Sequence, residues 1–152
     1  MKSASEADVQ TWLQGILDRL VQNRYWCTSR KGSGGSVIGK PVDLEIRFRE
    51  GSRKVVVAVE VANVNTTQLV GEACRLYFDT CPTKLLVLGD RNVPTNGKQQ
   101  CEIVLARMYG QDSIQNTPSR VVLFNDDGAT AEALSELLLL GGSGIVTTGR
   151  AG

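Results

Sequence analysis

Residues 41–62 read PVDLEIRFREGSRKVVVAVEVA. Val42, Leu44, Ile46 and Phe48 alternate with Asp43, Glu45, Arg47 and Arg49, the period of two that sends successive side chains to opposite faces of a strand. Glu50-Gly51-Ser52-Arg53 interrupts the pattern as a turn, and Val55 to Val61 form a second strand. A two-residue turn at Gly51-Ser52 fixes the hairpin register. Leu44 then faces Val59, Ile46 faces Val57 and Phe48 faces Val55, so one side of the ribbon is wholly apolar and packs on a core. On the other side Asp43 falls opposite Glu60. Carboxylates on adjacent strands lie about 5 Å apart at Cβ, and like charges there destabilise a sheet unless something offsets them. Val56, Ala58 and Ala62 surround Glu60, a setting in which an uncompensated charge is costly. Two remedies fit. A divalent cation takes carboxylate oxygens readily, or a nearby arginine pairs with Glu60; a slip in register would remove the need for either.

Working outward, Val9, Trp12, Leu13, Ile16, Leu17, Leu20 and Val21 recur at the spacing of an amphipathic helix, with Ser3 or Ser5 as its cap and Glu6 and Asp8 at its positive end. Tyr25-Trp26-Cys27-Thr28 reads as the first strand of the sheet. The intervening Arg30-Lys31-Gly32-Ser33-Gly34-Gly35 is a loop without the spacing of a Walker motif. Downstream, Asn65 or Thr66 caps a helix from Thr67 to Asp79, with Leu69, Val70, Ala73, Leu76 and Tyr77 as its buried stripe. Lys84 to Asp90 is a short buried strand. Lys98 to Tyr109 reads as a helix stopped by Gly110. Val121 to Phe124 is a further strand and Thr130 to Leu140 a last helix. The expected fold class is α/β: a mixed central sheet flanked by helices, one domain over residues 1–140, and a glycine-rich tail over 141–152.

Composition narrows the chemistry. The chain has 152 residues, 41% hydrophobic and 22% charged, enough for a single core. Nothing resembles a membrane span or a secretory segment, and four cysteines without Cys-x-x-Cys spacing read as reduced core residues, so a cytoplasmic location is expected. There is no histidine. That removes Ser-His and Cys-His catalysis and histidine metal sites, leaving carboxylates, lysine, hydroxyls or a bound metal. Residues 1–54 carry ten Lys/Arg against six Asp/Glu, and the remainder seven against ten. The basic excess gathers in Arg24, Arg30, Lys31, Lys40, Arg47, Arg49, Arg53 and Lys54, a grouping that either neutralises phosphates, with Arg30, Lys31 and Lys40 as the candidates, or forms a solvated surface.

The element order, with Pro41-Val42-Asp43 on the second strand and Val59-Glu60-Val61-Ala62 on the third, resembles the PD-(D/E)XK nuclease superfamily over about residues 5–90. The resemblance implies a restriction-endonuclease-like αβββαβ core, with a helix–strand–helix extension here. It also implies a hydrolase, an endonuclease acting on nucleic acid, chiefly DNA, in which Asp43 and Glu60 ligate Mg²⁺ or Mn²⁺ with the Val61 carbonyl as a third ligand. Glu6 matches the place where some members supply another carboxylate, although stabilising the helix start is its competing role. The chain departs from the family at Ala62, where the family has its lysine. Gln68 and Tyr77 loosely match polar groups of the following helix in some relatives, and Gln68 is the candidate catalytic substitute; Lys31, Lys40 and Lys54 are poorer ones. Two functions compete: a metal-dependent phosphodiesterase, and an inactive nuclease-fold module that binds nucleic acid or a protein. A Rossmann-like nucleotide-binding domain is weaker, since no glycine fingerprint joins a strand to a helix. The Leu137–Leu140 run exceeds what one helix face needs, and covers either a homodimer contact or the protein's own sheet.

Overall fold

The computed structural model describes residues 4–21, 25–29, 43–50, 53–89 and 93–143. The chain folds as an α/β protein in the order α1 (Glu6–Val21), β1 (Tyr25–Ser29), β2 (Leu44–Glu50), β3 (Arg53–Ala62), α2 (Thr66–Tyr77), β4 (Thr83–Leu88), α3 (Gly97–Met108), a 3-10 turn (Ile114–Asn116), β5 (Ser119–Leu123) and α4 (Asp127–Ser143). The five strands lie side by side in chain order. The first three form an antiparallel meander, and β4 and β5 then add parallel to β3. The β2–β3 register is the one the hairpin turn requires: Leu44 pairs with Val59, Ile46 with Val57 and Phe48 with Val55.

The alternation in β2 and β3 sorts the core into two layers. On one face Leu44, Ile46, Val57 and Val59 join Val9, Leu13, Ile16 and Leu17 of α1 and Leu134 and Leu137 of α4, all fully or almost fully buried. On the other, Ala58 and Ala62 meet Leu69, Ala73 and Leu76 of α2 and Cys101 and Leu105 of α3. Leu85 and Val87 of β4 serve the first layer, Leu86 and Leu88 the second.

Helix ends follow local chemistry. Ser5 and Asp8 cap α1 reciprocally, each side chain accepting the other's backbone N–H at 3.1 Å. Asn65 caps α2 through the Gln68 N–H, and Gly110 follows α3 with φ 72, the left-handed conformation that glycine adopts without a Cβ clash. A Cβ at Gly89 would lie 1.4 Å from Asn63 Oδ1, so the end of β4 requires glycine to admit the Asn63 side chain, whose Nδ2 donates to the Ala4 carbonyl at 2.7 Å. Several boundaries move from the sequence expectation. Phe124 leaves the strand for a turn, α4 begins at Asp127, and its last residues, Gly141 to Ser143, lie in the segment read as tail. Val70 is exposed, so the buried stripe of α2 is narrower than periodicity suggested. Cys27, Cys74 and Cys101 carry free thiols, and among the described residues no helix is long and apolar enough to cross a membrane.

Candidate functional site

The face of the sheet that carries α2 and α3 is apolar beneath the helices and polar beside them. By register, Asp43, Glu45 and Arg47 of β2 lie on the same face as Glu60, Ala58 and Val56 of β3. Glu45 is buried and pairs with the more exposed Arg47 on its own strand. Glu60 is 0% exposed. Asp43, at the start of β2, accepts the Val61 N–H on Oδ2 at 2.9 Å, its side chain continuing the β2–β3 ladder one step beyond the strand. The Asp43 carboxyl therefore sits beside Glu60, as the register requires. The N–H and C=O of one strand residue point to the same side, so the Val61 carbonyl is also directed toward β2.

From α2 a third carboxyl and a guanidinium approach. Gln68, Glu72 and Arg75 stand four and three residues apart, on one helix face. Arg75 Nη2 donates to Glu60 Oε2 and also to Glu72 Oε2, the latter at 3.1 Å. Glu60 Oε1 and Arg75 Nε are both buried and have no hydrogen-bond partner. Burial pushes the Glu60 carboxyl up to about 10; the adjoining Glu72 carboxyl and the charge of Asp43 add to the effect, and the Arg75 hydrogen bond opposes it. Two carboxyls, Glu60 and Glu72, thus share one guanidinium, and Asp43 lies near enough to feel its charge. Among the described residues, no group of three or more His, Cys, Asp or Glu side chains converges as a metal cage. Two carboxylates and a backbone carbonyl are the oxygen donors the site offers a hard cation.

The other expected residues fall as follows. Gln68 is exposed on the first turn of α2, with its backbone N–H used by the Asn65 cap. Glu6 is exposed in the first turn of α1, the helix that packs on the opposite face of the sheet. Ala62 is 1% exposed and packed in the α2–α3 layer. Lys54 pairs with Arg49 at the far end of the hairpin. Arg30, Lys31 and Lys40 lie outside the described residues. Of the leucine run, Leu137 and Leu138 close on the sheet, while Leu139 and Leu140 are exposed and line a groove with Arg120 and Glu136.

Sequence reasoning anticipated an arginine for Glu60 without naming it. The available signal was the polar Gln68–Glu72–Arg75 stripe beside the apolar one on α2. Lys84 was also missed. It is 5% exposed within an apolar strand, and its Nζ donates to the Tyr77 carbonyl at 2.8 Å and the Tyr109 hydroxyl at 3.2 Å. Comparison of the chain with protein families, with characterised proteins and with solved structures gave no match.

Proposed function

We propose that this protein is a divalent-cation-dependent phosphodiesterase of the PD-(D/E)XK type, acting on nucleic acid. The observation that carries the reading is Glu60 Oε1: a fully buried carboxyl oxygen with no partner, beside the Asp43 carboxyl on the neighbouring strand. An orphaned buried acceptor next to a second acid suits Mg²⁺ or Mn²⁺. The order of elements, with β4 parallel to β3 after an antiparallel meander, agrees with the family's core. Asp43, Glu60 and the Val61 carbonyl would hold the cation, which when bound supplies Lewis acidity toward a phosphoryl oxygen and eases deprotonation of water. Asp43 is fixed for this task by the Val61 N–H, and Glu60 by burial within the sheet. Gln68 stands on the same helix face as Glu72 and Arg75, on the exposed side where a substrate would arrive.

One observation favours a second reading, a catalytically inactive nuclease-fold module that binds nucleic acid or a protein: Arg75 already supplies Glu60 with a cation. Calorimetric titration of Mg²⁺ and Mn²⁺ into the protein separates the two. The first reading expects binding that an Asp43→Asn/Glu60→Gln variant loses, followed by metal-dependent cleavage of single- or double-stranded DNA or RNA. No binding by the parent at millimolar metal leaves the second.

A further inference from the structure

The Arg75–Glu60 ion pair is made at one point although its members have the means for two. The Nε–Nη2 edge of a guanidinium matches both oxygens of a carboxylate or of a phosphate. Here Nη2 lies on Glu60 Oε2, while Nε and Glu60 Oε1 are each buried without a partner. The two orphans have opposite polarity: Oε1 calls for a cation or donor, and Nε for an acceptor. Neither satisfies the other, although the groups that bear them touch.

We infer that Arg75 is a phosphate-binding residue of the site, and that cation and phosphate bind there cooperatively because both draw on the Arg75–Glu60 pair. The inference rests on the cation site proposed above and gives it a substrate contact. Glu60, once its carboxylate is shared with a cation, no longer needs Arg75. The guanidinium stays at the site through its second tie, to Glu72 at 3.1 Å one helical turn away. Its Nε–Nη2 edge is then free for two oxygens of a phosphate; Nε is buried while Arg75 serves Glu60, and the side chain, 25% exposed as a whole, shifts to present that edge to an anion. Without the cation, Asp43, Glu60 and Glu72 present three carboxyls to one guanidinium and disfavour an incoming anion. With it the balance reverses. Arg75 thereby provides, from α2, a positive group in a site whose third strand carries Ala62.

The test is titration of inorganic phosphate, followed by ³¹P NMR or calorimetry, with and without saturating Mg²⁺. The parent should bind phosphate at least about tenfold more tightly with Mg²⁺, and phosphate should tighten Mg²⁺ binding by the same factor. Arg75→Gln should keep Mg²⁺ binding and lose the coupling, and Arg75→Lys, which has charge but no bidentate edge, should retain only part of it. Should Arg75→Gln fail to fold, as judged by thermal melting, the reciprocal coupling in the parent and its reduction in Arg75→Lys decide the matter. Equal phosphate affinity with and without Mg²⁺, or full coupling in Arg75→Gln, overturns the inference while leaving the cation site standing. Absence of Mg²⁺ binding in the parent removes both.

Discussion

The β2–β3 ribbon has two faces made by one alternating sequence, and they are built on different terms. Toward α1 and α4 it presents Leu44, Ile46, Val57 and Val59, every one 0% exposed and in apolar company. Toward α2 it presents Asp43, Glu45, Arg47 and Glu60, with Glu72 and Arg75 reaching in from the helix. The first face gains from area removed from water, about 25 cal/mol per Å². The second places charges where desolvation offsets much of what their attraction returns. A polar cluster that contributes little to stability, yet sits within a buried register, is where binding chemistry is to be sought.

The contrast can be broken on its apolar side first. Leu134→Ala, at a 0% exposed position of α4, should cost about 3 kcal/mol in chemical denaturation through lost transfer energy and a residual cavity. On the polar side, Arg75→Ala should cost about 2 kcal/mol, because it takes away the hydrogen-bond donor of the buried Glu60 carboxyl, and added Mn²⁺ should restore part of the loss. A double Glu60→Gln/Arg75→Met variant should come within about 1 kcal/mol of the parent, since removing both members of a buried pair is often neutral. A loss as large as that of Arg75→Ala alone would mean that the pair is structural.

The pH dependence of stability sharpens the comparison further. A carboxyl whose folded pKa is raised contributes fully below its unfolded value and loses that contribution as pH rises toward the folded one. For Glu60 the window runs from its ordinary 4.5 to about 10. For the Cys27 thiol of the apolar layer, which burial pushes to about 12, it runs from 9 upward. Denaturation midpoints of Glu60→Gln should therefore gain on the parent progressively from pH 5 to pH 9, whereas a Cys27→Ala difference stays flat until pH exceeds 9. The smallest effect belongs to the periphery: Lys98→Ala, breaking the partly exposed Lys98–Glu102 pair at 3.0 Å, should change stability by less than about 0.5 kcal/mol.

Both faces were legible in residues 41–62 because strand alternation and a two-residue turn leave one register with a continuous apolar side. Asp43 beside Glu60 followed from that register alone. Arg75 did not. A helix gives its polar stripe no address until it has docked, and Glu72 and Arg75 read equally well as a solvated i, i+3 pair. Of the Gln68–Glu72–Arg75 stripe Gln68 lies nearest the strand in sequence, but Arg75, seven residues on, has the reach to return to Glu60. Lys84 was hidden for the opposite reason: its aliphatic stem suits an apolar strand, and only the fold brings Tyr77 and Tyr109 to its ammonium.

Strand order has a consequence for how the molecule is made. Each strand is laid beside its immediate predecessor, so the sheet can lengthen in the order of synthesis, without waiting for a distant partner. The layer holding Glu60 and Arg75 has all its helices once α3 has emerged. The opposite layer has only α1 until Asp127–Ser143 arrives as α4. A chain halted at Leu123 would own all five described strands and the polar cluster, yet leave much of one apolar sheet face bare, a surface prone to aggregation. Helix α4 is thus the element that closes this apolar face.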